Sequence, residues 1–350
     1  MSNSLTLGLA LLGGLVLAAV VAHGAWTARK SAARAPRRAE PHDPLSTLAE
    51  LPDGSGIPGP DSEPLSASVS QPALRKGQVR LDALIDAIAV VSVDTPLTGD
   101  QVLAHLPSTR RAGSKSFMIE GLRVDCGEWE APQSGVTYSE LQAGVLLANR
   151  LGGLNEIEYS EFVQKVQAFA DSLGASVEFP DMLDIVARAK ELDTFASEHD
   201  AQLAMRLHAR GSAWSVGYLQ QQATRHGFVP GSLPGRLVMP AQEEGAPPVL
   251  TLHFDAQAAF ADDTDQASLR ELQLAFDVPQ TAPELEPFKS WCAAGEALSL
   301  ALDAVMADDQ GRAFSPAAFA AIEGELQRLY EALAQRDLAA GSTAARRLFS

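Results

Sequence analysis

The feature that most constrains the fold is an apolar stretch near the start of the chain, Leu5 to Ala25, which contains no Asp, Glu, Lys or Arg. At about 1.5 Å per helical residue it would reach about 30 Å, the thickness of the hydrocarbon core of a bilayer. The sequence therefore predicts a helix that spans the lipid bilayer once, at residues 5–26. Its apolar anchor residues include Leu5, Leu9, Leu12, Leu15, Leu17 and Val20.

The charges beside this stretch predict its orientation. Residues 1–4 contain no basic side chain, whereas Arg29, Lys30, Arg34, Arg37 and Arg38 follow the stretch. By the positive-inside rule, residues 1–4 are expected outside and the bulk of the chain in the cytoplasm. The alternative is a secretory signal peptide, because small residues flank His23, but such a peptide has a basic start and a shorter apolar core. Only two cysteines occur in the chain, which is compatible with a reduced compartment.

Composition excludes some partners and predicts a linker. The net charge is −17, so a nucleic-acid partner is not expected. Residues 27–79 are basic at first and then rich in Pro, Ser, Ala and Gly, which predicts a flexible linker without a core of its own.

Hydrophobic periodicity begins near Leu81, and its element order is expected to occur twice, in residues 80–199 and 200–338. In the second copy the pattern predicts strands at 202–207, 236–239, 249–254 and 272–278, with a helix at 214–226 after the first of them. A long helix with apolar residues from Phe288 to Val305, a short strand at 312–314 and a helix capped by Ser315 complete the copy. Residues 339–350 are assigned to a tail.

The first copy follows a similar order and supports an α+β fold class. Its predicted strands include 85–93, 117–122 and 176–179, and its helices carry apolar stripes that begin at Phe162 and Met182. The expected fold class is thus an N-terminal transmembrane helix, a disordered linker, and antiparallel sheets that each have helices on one face, with a split β-α-β character and two tandem copies. The strand boundaries between residues 121 and 147 stay open.

Three motifs resemble a known family. They are the run Asp308 to Pro316 (DDQGRAFSP), the strand end Ala275 to Pro279 (AFDVP) and the helix end His226 to Phe228 (HGF). Together with the order of anchor, linker and C-terminal domain, they resemble the ZipA-type cell-division proteins, whose C-terminal domain binds the tail of the tubulin-like division protein FtsZ. The motifs cover residues 200–335.

The resemblance implies a shallow groove on the open face of the second sheet, which would bind the C-terminal peptide of FtsZ. The expected peptide-binding residues are Ala204, Leu233, Leu237, Met239 and Ala275, with Arg206 and His253 as polar neighbours. The sequence departs from the family there, because alternation places Gln273, Asp277, Thr251, His253 and Asp255 on the outward face. Either the peptide has fewer apolar contacts, or the first copy supplies part of the site through residues 117–119 and 144–150.

No enzymatic motif is present, so no cofactor, metal or catalytic residue is expected. The seven histidines are scattered, and neither a phosphate-binding glycine loop nor a nucleophile elbow occurs. The expected function is a non-catalytic, membrane-tethered division factor that binds FtsZ and links or stabilises the division ring at the bacterial inner membrane during septum assembly. The alternative is a membrane-anchored adaptor for a different peptide or envelope protein, and self-association stays undecided.

Overall fold

A computed structural model describes residues 80–243, 245–260 and 268–350, and these residues belong to one compact unit. The first half contains strands β1 Asp86–Ser92, β2 Leu97–Thr98, β3 Arg111–Ala112, β4 Lys115–Arg123, β5 Trp129–Glu130, β6 Thr137–Leu146, β7 Ala148–Asn149, β8 Gly152–Gly153 and β9 Ser176–Glu178. Its helices are α1 Gly99–His105, α2 Glu156–Leu173 and α3 Met182–His199.

The second half contains strands β10 Gln202–Ala209, β11 Trp214–Ser215, β12 Val229–Pro230, β13 Arg236–Met239, β14 Leu250–His253, β15 Ser268–Leu269, β16 Glu271–Asp277 and β17 Ala304–Ala307. Its helices are α4 Val216–Arg225, α5 Ala256–Ala259, α6 Pro287–Ala301, α7 Pro316–Gln335 and α8 Thr343–Leu348.

The first sheet has the strand order β3-β4-β6-β1-β9, and its pairings are antiparallel. Helix α2 begins at a capping box formed by Asn155 and Glu158 and ends at Gly174, whose φ of 66° is readily adopted by glycine. Its buried stripe includes Phe162, which packs edge-on against Phe117 of β4 with ring centroids 5.6 Å apart. Helices α2 and α3 therefore cover the face of the sheet that carries Phe117.

The second sheet has the order β12-β13-β14-β16-β10-β17 and is also antiparallel. Helices α4, α6 and α7 contribute to its core. At the centre, the Trp291 ring of α6 is fully buried and donates its indole N–H to the carbonyl of Leu274, 2.9 Å away. The rings of Phe314 and Phe319 pack around it. This hydrogen bond satisfies the only polar atom of the tryptophan inside an apolar core.

The C-terminal residues connect the two halves. Helix α7 places Leu326 in the second core and Leu333 in the first, and Leu348 and Phe349 are buried in the first core. The backbone N–H of Gly341 donates to Pro279, and the Gln280 side chain donates to Phe349, both after β16. Residues 339–350, which the sequence assigns to a tail, thus pack against both halves.

Two charged contacts reinforce these connections. Arg347 of α8 forms two hydrogen bonds with the carboxylate of Asp86 at the start of β1, at 2.7 and 2.6 Å, and the Asp86 side chain is 0% exposed. Arg150 contacts Asp200 at 2.6 Å and Asp277 at 2.7 Å. Burial raises the pKa of Asp277, and the hydrogen bond from Arg150 opposes that rise.

The fold class predicted from the sequence needs a correction. Among the described residues, no helix is long and apolar enough to cross a membrane. These residues form a mixture of helices and antiparallel sheets. The predicted span at residues 5–26, with its anchor side chains, and the predicted linker at residues 27–79 lie outside the described residues.

Some predicted elements also change place. The predicted helix that ends at Val305 ends at Ala301, because Asp303 adopts a left-handed φ of 47°. Residues 304–307 then form β17, whereas the predicted strand at 312–314 contributes a single bridge between Ala307 and Ala313. In the first half, the central strand β6 is Thr137–Leu146, which resolves the boundaries that the sequence left open.

We expect Arg347→Ala to lower the free energy of unfolding by about 3 kcal/mol, because it leaves the buried Asp86 carboxylate without its partner. Urea unfolding monitored by circular dichroism measures this loss. The matched control is Arg328→Ala, which removes an exposed pair with Glu325 and is expected to cost less than about 1 kcal/mol. Equal losses in the two variants would contradict a special role for the buried pair.

Candidate functional site

The candidate site is the outer face of the second sheet, which lies opposite its helical core. Strand pairing aligns outer side chains across the sheet in two rows. The first row, which we call the small row, contains Val238, Thr251, Ala275 and Ala204. The second, which we call the basic row, contains Arg236, His253, Gln273 and Arg206.

Four of the seven predicted site residues come together on this face. Ala204, Arg206, His253 and Ala275 belong to the two rows.

The other three predicted residues are elsewhere, and the assignment of two of them to the groove needs correction. Leu237 is 3% exposed in the second core, and Met239 packs against that core. In β13 successive side chains alternate between faces, so Arg236 and Val238 point outward instead. Leu233 is exposed in the turn between β12 and β13.

The small row is closed at its centre. Ala275 is 0% exposed and Thr251 is 6% exposed, and the Arg236 guanidinium lies 3.4 Å from the Thr251 hydroxyl as a hydrogen-bond donor. A ligand on this face therefore cannot contact Ala275 unless neighbouring side chains move. The apolar groove expected from the family resemblance does not lie open here.

The accessible part of the face is polar. Arg206, whose side chain is 38% exposed, contacts Glu271 at 2.6 Å and Asp309 at 3.4 Å. His208 lies 3.8 Å from the same glutamate. Glu271 and His208 are not among the seven predicted site residues, although strict alternation in β10 and β16 places both beside Arg206. Asp309 belongs to the run Asp308 to Pro316, one of the three motifs that resemble the family.

The Asp308 run is a turn that leads into α7. The Asp308 carboxylate accepts the backbone N–H groups of Gln310 and Arg312, each at 2.9 Å, and Gly311 has a φ of 76°. Ser315 then caps the helix, with Pro316 at its first turn. The Asp308 carboxylate is thus used for hydrogen bonds within the turn, and Asp309 is the aspartate of the run that reaches Arg206 on the sheet.

His253 is electrostatically perturbed on this face. Burial lowers its pKa, and the positive charge of Arg236 lowers it further. The imidazole therefore stays neutral at pH 7 and offers one donor and one acceptor beside the positive charge of Arg236.

The outer face of the first sheet is more apolar. Its outward side chains include Ile88, Val90, Met118 and Leu122, whereas Phe117 and Ile119 point into the first core. The sequence offered residues 117–119 and 144–150 as an alternative peptide site, and within the second of these segments Val145 to Ala148 are buried in the first core. Within residues 117–119 and 144–150, Met118 and Gly144 lie on the outer face of the first sheet.

A cleft of about 270 Å³ lies between α3, residues 149–152 and the C-terminus. Its charged residues include Arg150 and Asp200, which pair with each other. The positive charge of Arg150 is therefore neutralised within the protein, and the cleft offers no unpaired cation to an anionic ligand.

A buried cluster in the first half contains residue types that occur in catalytic sites. The Lys115 ammonium lies 2.7 Å from the Ser114 hydroxyl and 3.0 Å from the Asn149 side chain, and Ser114 donates to Glu158 at 2.7 Å. Burial lowers the pKa of Lys115. Because Lys115 is 1% exposed and its neighbours satisfy it, the cluster serves to fix the β3–β4 turn to the start of α2. Among the described residues, no group of three or more His, Cys, Asp or Glu side chains could hold a metal ion.

In comparisons with known proteins, no family model matches the chain, and no curated protein matches it significantly.

We expect acidification to destabilise the wild-type protein partly through His253. Since the pKa of His253 in the folded state lies below its unfolded value of 6.5, the unfolded state binds a proton first as the pH falls. The contribution of the neutral imidazole is complete above about pH 6.5 and is lost between there and the lower folded pKa. His253→Gln should therefore show a smaller loss of unfolding free energy between about pH 7 and 5.5, measured by urea titration. Identical pH slopes would contradict this assignment.

Proposed function

We propose that this protein is a non-catalytic cell-division factor that binds the C-terminal tail of FtsZ and links or stabilises the division ring. The observation that carries the proposal is a six-stranded antiparallel sheet whose helices pack into one core and whose opposite face presents Ala204, Arg206 and His253. The resemblance of residues 275–279 and 308–316 to the ZipA-type family supports the same proposed function.

The chemistry of the open face favours a peptide with charged or amide side chains beside small apolar ones. Ala204 is half-buried next to the basic row, so a short aliphatic side chain fits over it without displacing a larger group. An acidic side chain would pair with Arg206 in place of Glu271 or Asp309. Each exchange of one exposed ion pair for another yields little free energy, so a single site is expected to bind weakly.

Weak single sites suit a polymeric partner. Along an FtsZ polymer the same tail occurs many times, and several copies of this protein confined to one surface would bind it together. The effective concentration created by such confinement raises the overall affinity without new contacts.

Binding of the FtsZ C-terminal peptide to residues 72–350 tests the proposal by isothermal titration calorimetry. We expect saturable binding with a Kd of about 100 µM or tighter, equivalent to about 5.5 kcal/mol or more. Arg206→Glu should weaken binding about tenfold or more, because it reverses a charge on the open face. The matched control Arg328→Glu alters an exposed, ion-paired arginine of α7 and should leave the Kd unchanged. Absence of binding at millimolar peptide, or equal effects of the two variants, would contradict the proposal.

A second candidate is an adaptor for a different peptide or an envelope protein. The closed centre of the small row favours it, because the family resemblance implies a larger apolar groove than this face provides. A peptide array that contains the FtsZ tail among unrelated bacterial peptides distinguishes the two. Preferential binding of another peptide, lost in Arg206→Glu, would favour the adaptor.

For the location, we propose the cytoplasmic side of the bacterial inner membrane at the division site, on the basis of the charge distribution around residues 5–26. Deletion of residues 5–26 should move the protein from the membrane fraction to the soluble fraction, as measured by immunoblotting. The matched control deletes 22 residues of the proline-rich segment, 44–65, and should remain with the membranes. A deletion of residues 5–26 that stays in the membrane fraction would contradict the proposed location.

A further inference from the structure

Strand β10 is paired along its whole length on one side only. Strand β16 pairs with residues 202–208 of it, whereas β17 pairs with residues 206–209 alone. After Ala307, the last residue of β17, the chain leaves the sheet through the turn that begins at Asp308. In the part of the chain that the structure describes, residues 202–205 of β10 therefore have no strand beside them on the β17 side.

The backbone groups on this side of β10 come from alternate residues. The N–H of Arg210 donates to the carbonyl of Asp303, just before β17, so the even-numbered residues of β10 direct their N–H and C=O groups toward the β17 side. For Gln202 and Ala204 these groups have no hydrogen-bond partner among the described residues. They form an open stretch about 10 Å long, which we call the β10 edge.

The β10 edge lacks the usual protection against a further strand. Sheets commonly protect their edges with charged side chains, prolines or bulges. The opposite edge of the same sheet has Pro230 in β12. Residues 202–205 (QLAM) contain neither a charge nor a proline, and their register with β16 is regular. The β10 edge can therefore accept another strand.

An apolar pocket lies beside the β10 edge, between β10 and helix α7. Its volume is about 140 Å³, close to the volume of about 150 Å³ that holds a benzene molecule in a protein cavity. Leu203 and Val278 line it from the sheet, and Ile322, Leu326 and Leu329 line it from α7. A side chain of the size of leucine therefore fits between the β10 edge and the helix.

Both ends of the β10 edge are acidic. At the end next to β17, Arg206 pairs with both Glu271 and Asp309, and His208 beside Glu271 adds a positive charge only when it is protonated. One arginine shared by two carboxylates leaves an excess of one negative charge. The nearby charges that cancel in pairs are Asp308 with Arg312 and Glu325 with Arg328.

The other end of the edge, before Ala201, repeats this arrangement. Arg150 pairs with Asp200 at 2.6 Å and with Asp277 at 2.7 Å, so one arginine is again shared by two carboxylates. A peptide that is apolar in the middle and basic on both sides complements these charges.

We propose that the β10 edge is a second binding site, which accepts an extended peptide of another protein by strand addition. Three peptide residues would lie antiparallel to β10, in the direction of β17. The outer two exchange backbone hydrogen bonds with Gln202 and Ala204, and the central one, opposite Leu203, directs its side chain into the pocket beside α7. The central residue is leucine or another apolar residue of similar size, and basic residues flank the three.

This site goes beyond the proposed function, because it uses the edge of the second sheet and a pocket on its core side, whereas the FtsZ tail is proposed to bind the outer face. The variant Arg206→Glu separates the two proposals. It should weaken binding of the FtsZ peptide, whereas it adds a negative charge at one end of the β10 edge and should not weaken binding of a peptide with flanking lysines.

Photo-cross-linking to the full chain, kept in detergent micelles at pH 8, tests the proposal. The probe is acetyl-Lys-Thr-X-Thr-Lys-amide, in which X is photoleucine, a leucine analogue with a diazirine in its side chain. We expect saturable labelling, with the cross-link located by mass spectrometry in residues 322–329 or at Leu203.

Two methylated probes test the backbone hydrogen bonds without any change to the protein. N-methyl groups on both threonines remove the N–H donors to the carbonyls of Gln202 and Ala204, so labelling should fall about tenfold. The matched control is methylated only at X, whose N–H points away from β10, and should label as the original probe does. Equal labelling by the two methylated probes would overturn the proposal.

A substitution in α7 tests the pocket. Ile322→Gln places an amide in the pocket wall and should reduce labelling severalfold, whereas the matched control Ala321→Gln changes the adjacent exposed residue and should leave it unchanged. Cross-links on the outer face of the sheet would overturn the proposal. Absence of labelling at millimolar probe would also overturn it, and a protein that then sediments as a dimer would identify a second copy of the chain as the occupant.

Discussion

The buried ion pair between Arg347 and Asp86 joins the last helix of the chain to the first strand, and several other segments depend on it. The same guanidinium bonds to the carbonyl of Arg80, so it also positions Leu81 above Gly144. Helix α8, which carries Arg347, follows residues that bond to Pro279 at the end of β16. Desolvation of two charges opposes such a pair, and its two short hydrogen bonds offset that cost. One side chain therefore links the last helix, the first strand and the segment that places Leu81 on the outer face of the first sheet.

Hydrophobic alternation predicted the faces of a strand correctly where it was long and regular, as in residues 272–278, where it separates Leu274 from Gln273 and Ala275. It failed in the four residues Arg236–Met239, because three consecutive apolar side chains fit either face equally well. The end of α6 could not be predicted from the sequence either, because Asp303 adopts a left-handed conformation that is usually found at glycine. Leu348 and Phe349 lie in a helix too short to show a period, so their burial in the distant first core depends on tertiary contacts alone.

The two outer faces differ for reasons that only the structure reveals. Alternation predicted that Thr251 and Ala275 point outward, yet both are buried, with Arg236 extended to the Thr251 hydroxyl. On the first sheet, a glycine at position 144 leaves the depression that Leu81 fills. The residue types alone predict neither of these coverings. Each depends on a side chain, Arg236 or Leu81, that comes from a different strand or segment. The two sheets thus present one apolar outer face and one polar outer face in the same protein.

The polar face of the second sheet limits how tightly any single ligand can bind. Arg206 is already paired with Glu271 and Asp309, so a ligand carboxylate gains only the difference between two exposed ion pairs. The neutral imidazole of His253 adds hydrogen bonds but no charge at pH 7. Apolar burial contributes about 25 cal/mol per Å², and the closed small row leaves little area for it. A face of this kind favours a partner that presents one short peptide many times, because repeated weak contacts bind firmly as a set while each remains exchangeable.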